Sequence, residues 1–171
     1  MPLKSVCIII CVSIVVIDGF VPVSVGAVEK IVAGWLERVL VDENKLVFIA
    51  KLDTGAKHTS INAQNIVVFN RSGRPWVQFQ LTDKNRQVLE MTCPVVRMAS
   101  IKMHSGRHQD RPVVKLPICL GTIMKTVEVN IVDRSFFNYQ VLIGRSFLQD
   151  AVIVDVSAKF RHRPRCRKAG F

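Results

Sequence analysis

The apolar residues of this chain come in short runs rich in Val and Ile, set apart by clusters of turn residues. No other feature limits the possible folds so tightly, because branched side chains in runs of this length favour strands over helices. Gly34 to Val41 is apolar apart from Glu37 and Arg38, and Asp42-Glu43-Asn44-Lys45 turns the chain into a second run, Leu46 to Leu52. Ile66 to Phe69 closes at Asn70-Arg71-Ser72-Gly73-Arg74-Pro75. Trp76, Val77, Phe79 and Leu81 follow, up to the turn Asp83-Lys84-Asn85-Arg86. Val88 to Ile101 is a long strand-like run in which Pro94 marks an edge or a bulge. Pro112 to Leu120 and Thr122 to Val132 flank Gly121 as a hairpin, with Val127, Val129 and Ile131 alternating with Glu128 and Asn130. Only Phe147 to Asp150 suggests a helical turn, and Ala151 to Val156 reads as a last strand. Short strands with turns about every 8–12 residues predict an all-β barrel or sandwich.

A length of 171 residues suits one domain with an ordinary core. Hydrophobic residues at 49% against 22% charged exclude a disordered chain. The first residues are set apart from the fold. Lys4 precedes an apolar run, Cys7 to Ile17, and Ser24-Val25-Gly26-Ala27 offers small residues where a signal peptidase cuts. The expectation is a signal peptide over 1–27, or an N-terminal anchor if it is not cut. The run is short for a bilayer-spanning helix, which needs about 20 residues. The mature chain then starts near Val28, outside the inner membrane and in the periplasm. Its folded domain covers 28–158, followed by a basic tail, 159–171.

Outside the leader the cysteines are Cys93, Cys119 and Cys166. An odd number permits one internal disulfide at most, and Cys93 with Cys119 is one candidate pair, free thiols the other reading. The formal net charge is +11, with much of the excess in Arg161-His162-Arg163-Pro164-Arg165-Cys166-Arg167-Lys168. Such a run is expected to be a solvated, flexible end. It carries no interleaved aromatic platform, so with a secretion signal ahead of it nucleic acid is not an expected partner. The membrane is expected as a partner only through an uncut leader.

The chemistry concentrates where the run Phe48 to Leu52 ends in Asp53-Thr54-Gly55-Ala56. Alone, Asp-Thr-Gly is an ordinary turn or helix cap. A second segment, Val141-Leu142-Ile143-Gly144-Arg145-Ser146-Phe147-Leu148, changes that reading. Together the two resemble the retropepsin-like aspartic peptidases, which pair an Asp-Thr-Gly-Ala loop with a later apolar-apolar-Gly-Arg segment leading into a short helix. The likeness is closest to a bacterial branch labelled "ATP-dependent zinc protease". Its members have segments similar to Lys51 to Lys57, to Arg111-Pro112-Val113-Val114-Lys115-Leu116-Pro117 and to Asp133-Arg134-Ser135. The resemblance covers roughly 35–156. It implies a single-lobe acid-protease barrel with a short helix after the Gly-Arg segment. It further implies Asp53 as the catalytic residue, with Thr54, Gly55 and Ala56 supporting its loop and Ile143, Gly144 and Arg145 supporting the second loop and the dimer.

Hydrolysis without metal or covalent nucleophile needs one group to deprotonate water and another to protonate the carbonyl oxygen. Two carboxyls held close share a proton and supply both; aspartic peptidases are the type example of this rule. Asp42, Asp83, Asp110, Asp133, Asp150 and Asp155 are followed by Glu, Lys, Arg, Arg, Ala and Val, so none repeats the loop. The second carboxyl is therefore expected from Asp53 of another copy, in a homodimer acting on a peptide or protein substrate. Met103 to His108, with His104, Ser105, Gly106 and Arg107 at its centre, falls where a retropepsin flap lies, and Arg71 to Pro75 is a rival. Where viral retropepsins carry a further acid after the loop, this chain has Lys57 and His58, which deprives Arg145 of an ion-pair partner and points to acidic peptides or carboxylates as substrate. His104 and His108 are four apart, but Ser105 and Gly106 argue against a shared helix face, and neither HExxH nor a phosphate-binding Gly-rich loop occurs. No metal or cofactor is expected. The contrasting reading is a cell-envelope binding module that kept the barrel without effective catalysis.

Overall fold

A computed structural model describes residues 29–42, 46–102, 106 and 108–166. The leader expected over 1–27, most of the candidate flap tip and the end of the basic tail lie outside these residues.

The described chain is nearly all strand. β1 (Ile31–Val41) and β2 (Leu46–Leu52) form the first hairpin, with Val41 opposite Leu46. β3 (Thr59–Asn62) follows, then β4 (Gln64–Arg71), β5 (Arg74–Thr82) and β6 (Val88–Pro94), which make a small antiparallel sheet of their own. β7 (Arg97–Lys102), β8 (His108–Leu120) and β9 (Ile123–Val132) return to the main sheet. β10 (Val141–Ile143), the one-turn helix α1 (Arg145–Leu148) and β11 (Val152–Lys159) complete the order.

The main sheet runs β11-β1-β2-β10-β3-β9-β8-β7, and an added β1–β8 pairing through Leu40 and Cys119 closes it into a barrel. Closure removes exposed strand edges from the ring, leaving β11 and β7 as flanking strands. Phe48, Leu116, Ile118, Ile131, Ile143 and Phe147 are almost completely buried in its interior. The small sheet adds Val77, Phe79 and Leu81 to the same core.

The all-β single-lobe barrel with its short helix is as expected, though three details differ. Val88 to Ile101 is two strands in two sheets: Val95 N–H donates to Pro75 O and Val96 N–H to Val113 O, so the chain changes partners just after Pro94. The pairs β2–β10 and β3–β9 draw on segments too short or too polar to signal strands; β3 reads Thr-Ser-Ile-Asn. The disulfide joins Cys119 to Cys166, while Cys93 is a free thiol on β6, its pKa raised by burial and then by Asp42.

That disulfide also corrects the reading of the basic run, whose residues 161–166 are pinned to the barrel. Arg161 and His162 donate backbone N–H bonds to the buried carboxylate of Glu37, which also accepts from Gly34 N–H. Arg165 N–H reaches Gly121 O at 2.6 Å. A charged run has nothing in its own sequence to mark a buried acid elsewhere as its anchor.

Candidate active site

β2 delivers Asp53 into a loop held by β10. Asp53 N–H donates to Ile143 O at 2.8 Å, continuing the parallel β2–β10 ladder by one step. The loop then folds on itself: Asp53 Oδ1 accepts from the N–H of Gly55 at 3.0 Å and of Ala56 at 3.2 Å. Asp53 is half-buried, and Thr54 and Gly55 are exposed beside it. Two backbone donors thus fix one oxygen of the Asp53 carboxylate.

The second loop locks against the first. Gly144 N–H donates to Thr59 Oγ1, Arg145 N–H to Ala56 O at 2.9 Å and Ser146 N–H to Lys57 O at 3.0 Å. The Arg145 Nη1 donates to both Thr54 O and Gly55 O, at 2.9 and 2.8 Å. With Lys57 exposed nearby rather than an acid, Arg145 therefore serves the carbonyls of the Asp53 loop. All of Asp53, Thr54, Gly55, Ala56, Ile143, Gly144 and Arg145 meet in this one place. Beside it an open cleft of about 440 Å³ is lined by Thr54, Arg145, Leu148, Val152 and Val154.

Two further groups of residues were not assigned to the site from sequence, although His58, Arg111 and Arg134 stand in or beside the segments quoted there. His58, just past the loop, lies under a pair formed by Arg97 and Glu128, whose nearest atoms are 2.9 Å apart. Its pKa is lowered from the ordinary 6.5 by burial, then by Arg97, with Glu128 opposing and Lys57 adding slightly. Its Nδ1 is 3.8 Å from Glu128, too long for a hydrogen bond, and has no partner among the described residues.

The second group forms a polar wall. β10, β3, β9 and β8 turn Val141, Ile143, Ile61, Val129, Ile131 and Val114 to the barrel core. On the opposite face a row crosses the strands through the register pairs Leu142–Ser60, Ser60–Asn130 and Asn130–Val113. Arg134 lies over this row: Nη1 reaches Ser60 Oγ and Nε reaches Tyr139 O, both at 3.3 Å, and its backbone N–H donates to Asn62 Oδ1 at 2.5 Å. Arg111, two residues from Val113, shares that face by strand alternation. The pKa of Arg134 is lowered by burial, then by Arg111, while Asp53 pulls the other way. Burial lowers Arg111 as well. The signal that existed was the pattern of polar residues in otherwise apolar strands.

Of the candidate flap, His104, Ser105 and Arg107 lie outside the described residues. Gly106 has φ of +79°, and Lys102 pairs with His108 across the β7–β8 hairpin that this segment joins. His108 Nδ1 is 3.2 Å from Ser100 Oγ. The rival, Arg71 to Pro75, is the tight β4–β5 turn through Ser72 and Gly73.

The family model described as "Retropepsin-like aspartic endopeptidase RimB" matches residues 32–165. Among curated proteins, a "Probable alpha-L-glutamate ligase" of Shewanella pealeana is 34% identical over 65% of this chain and 25% of its own length. One of the same name from Desulfotalea psychrophila is 34% identical over 62% and 24%. The chain thus spans about a quarter of the curated relatives it matches. A Legionella pneumophila protein of unknown function, solved by crystallography, is 31% identical with a TM-score of 0.67, over 79% of this chain and all of that one.

Proposed function

Since the chain belongs to the RimB-like family of retropepsin-like aspartic endopeptidases, we propose that it cuts peptide bonds as a homodimer, with Asp53 of each copy flanking one water. The observation that carries this reading is the Asp53 loop, with one carboxylate oxygen fixed by Gly55 and Ala56 and the backbone locked by β10. One such carboxyl supplies base or acid, not both at once. Facing its twin across a two-fold axis it supplies both, because two close carboxyls hold one proton between them. The cleft beside Thr54 and Arg145 is the surface on which the second copy would sit.

The substrate class proposed is acidic, glutamate-containing peptide. Arg145 sits on the loop, the charge of Arg134 acts on Asp53, and Lys57 is exposed just after the loop, a setting that favours anionic ligands. The similarity to proteins named for ligating glutamate points the same way. A periplasmic location suits the Cys119–Cys166 disulfide, since such bonds persist in oxidising compartments. The β7–β8 hairpin tip is proposed as the lid over bound peptide.

The test is cleavage of glutamate-rich peptides by the purified protein across pH, with its mass in solution measured alongside. The D53N variant should keep the fold and lose cleavage by at least about a hundredfold. A D53N protein that cuts as well as the parent, or a parent that stays monomeric while active, would sink the proposal.

A further inference from the structure

We propose that the strap 160–166, fastened to one end of the barrel, is a docking face for a membrane of anionic phospholipid. Fastening is what turns this basic run into a surface. Arg161, Arg163 and Arg165 are exposed, while His162, Pro164 and Cys166 between them are partly covered. The covered residues hold the barrel: Cys166 through its disulfide to Cys119, and His162 through Nε2, 2.9 Å from Val32 O. An open cleft of about 530 Å³ results, lined by Ile31, Gly121, Thr122 and the three arginines.

Little in the fold neutralises these arginines. Arg161 has Asp155 of β11 as a partner, 3.1 Å away. The side chains of Arg163 and Arg165 have no hydrogen bond or ion pair among the described residues. The buried Glu37 is taken up by the backbone N–H groups of Gly34, Arg161 and His162. Arg167 and Lys168 extend the run in sequence with no acid among them. Because the backbone is already fixed, meeting an anionic surface requires little further ordering.

Two features favour a bilayer over a soluble polyanion, and a third sets its direction. The first is where the chain enters the barrel. A Cβ on Gly121 would meet Ile31 Cδ1 at 3.3 Å and His162 Cβ at 3.5 Å, so β1 begins against the strap. Residues 1–28, with the apolar run Cys7 to Ile17, therefore join the barrel beside the arginines. Retained as an anchor, that segment would hold the strap at the bilayer surface. The second feature is apolar surface. Val32 and Ile153 are register partners across β1 and β11, 40% and 54% exposed, and His162 reaches the Val32 carbonyl. Apolar side chains beside cations suit a lipid interface, where one enters the acyl boundary and the other meets phosphate. A soluble polyanion would use the charge alone. Finally, β8 runs from His108, at the candidate lid, to Leu120, next to the disulfide that holds the strap. A membrane at the strap leaves the lid in solution, open to substrate.

Vesicle sedimentation with the full chain tests this. The ratio of its affinities for vesicles with and without phosphatidylglycerol in phosphatidylcholine reads charge, and substitutions in the strap assign that charge. The anionic vesicles should bind at least about twentyfold tighter, with a smaller ratio in added salt. R163Q/R165Q should cut the ratio about tenfold or more, since each basic residue near an anionic surface contributes about fivefold. Its melting temperature should stay that of the parent, and R163K/R165K should keep the ratio. V32S/I153S should weaken vesicle binding and leave binding of inorganic polyphosphate, the soluble comparison, unchanged. Equal binding of both vesicles by the parent, or an unchanged ratio in R163Q/R165Q, overturns the proposal. So does polyphosphate that displaces the protein from anionic vesicles at equal phosphate, which would make the strap a polyanion site. None of these outcomes bears on the Asp53 reading, which the D53N cleavage assay judges alone.

Discussion

Gly144 lies directly against the backbone of His58: a Cβ built on it would come within 2.6 Å of both the carbonyl carbon and the oxygen. Backbone on backbone leaves nothing that can swing aside. The two loops of the site thus touch where only a hydrogen fits. The G144A variant should lose about 1–3 kcal/mol of stability in denaturant unfolding. Because the displaced backbone is that of the Asp53 loop, cleavage should fall further than stability does. A fully active, equally stable G144A protein would contradict the close packing.

Arg145 clamps the carbonyls of Thr54 and Gly55 through one nitrogen. Bonds from a charged donor contribute about 1.5–3 kcal/mol each when buried, and less at this exposed position. R145A should cost roughly 1 kcal/mol of stability and at least about tenfold in kcat/KM. R145K should recover part of both, because an ammonium reaches the carbonyls without the guanidinium's fixed plane. Steady-state kinetics on the three proteins decides the order.

Mixing tests the shared site. If each dimer needs two Asp53 carboxyls, random exchange of equal amounts of parent and D53N protein leaves about a quarter of the dimers fully competent. Activity per parent chain should fall to about half after subunit exchange. Activity that stays proportional to the parent chain alone would mean that one chain suffices.

His58 makes stability depend on pH. Its pKa is lowered in the fold by burial and then by Arg97, with Lys57 adding to these and Glu128 working against them. The unfolded chain therefore takes up the proton first as pH falls, and stability rises with pH wherever the unfolded state binds more protons. Above the ordinary histidine value of 6.5 the residue has no effect; below it stability drops, until His58 protonates in the fold as well. H58Q should remove that part of the decline. Urea unfolding of both proteins at pH 7.5 and 5.5 provides the comparison.

The strap 160–166 depends on two fastenings. Breaking the Cys119–Cys166 bond by C166S should cost roughly 2–4 kcal/mol, and should open the Arg161–Arg165 bonds to protease. E37Q keeps the shape but turns an acceptor into a donor facing backbone N–H groups. It should cost about 1–3 kcal/mol with the disulfide intact. Thermal melts and limited proteolysis read both.

The alternating apolar runs, the Asp53-Thr54-Gly55-Ala56 loop and the Ile143-Gly144-Arg145 segment were legible in order along the chain. Each is written in neighbouring residues, whose period and turn chemistry act over a few positions. The long run Val88 to Ile101 misled because a change of sheet at Val95 and Val96 leaves the apolar pattern unbroken. The tail misled in the opposite way, since its charges look solvated while its backbone is tied to a buried acid on β1.

Amino-acid order alone fixed strand periodicity and the identity of the acid at the end of β2. Only the folded barrel decided that Gly144 meets His58, that Cys119 chooses Cys166, and that Arg111 and Arg134 share a wall with Asn130. Those outcomes depend on register between strands distant in sequence. A shift of one residue in the pairing of β8 would turn Arg111 to the core and Val114 to the opposite face, and no local pattern records that choice.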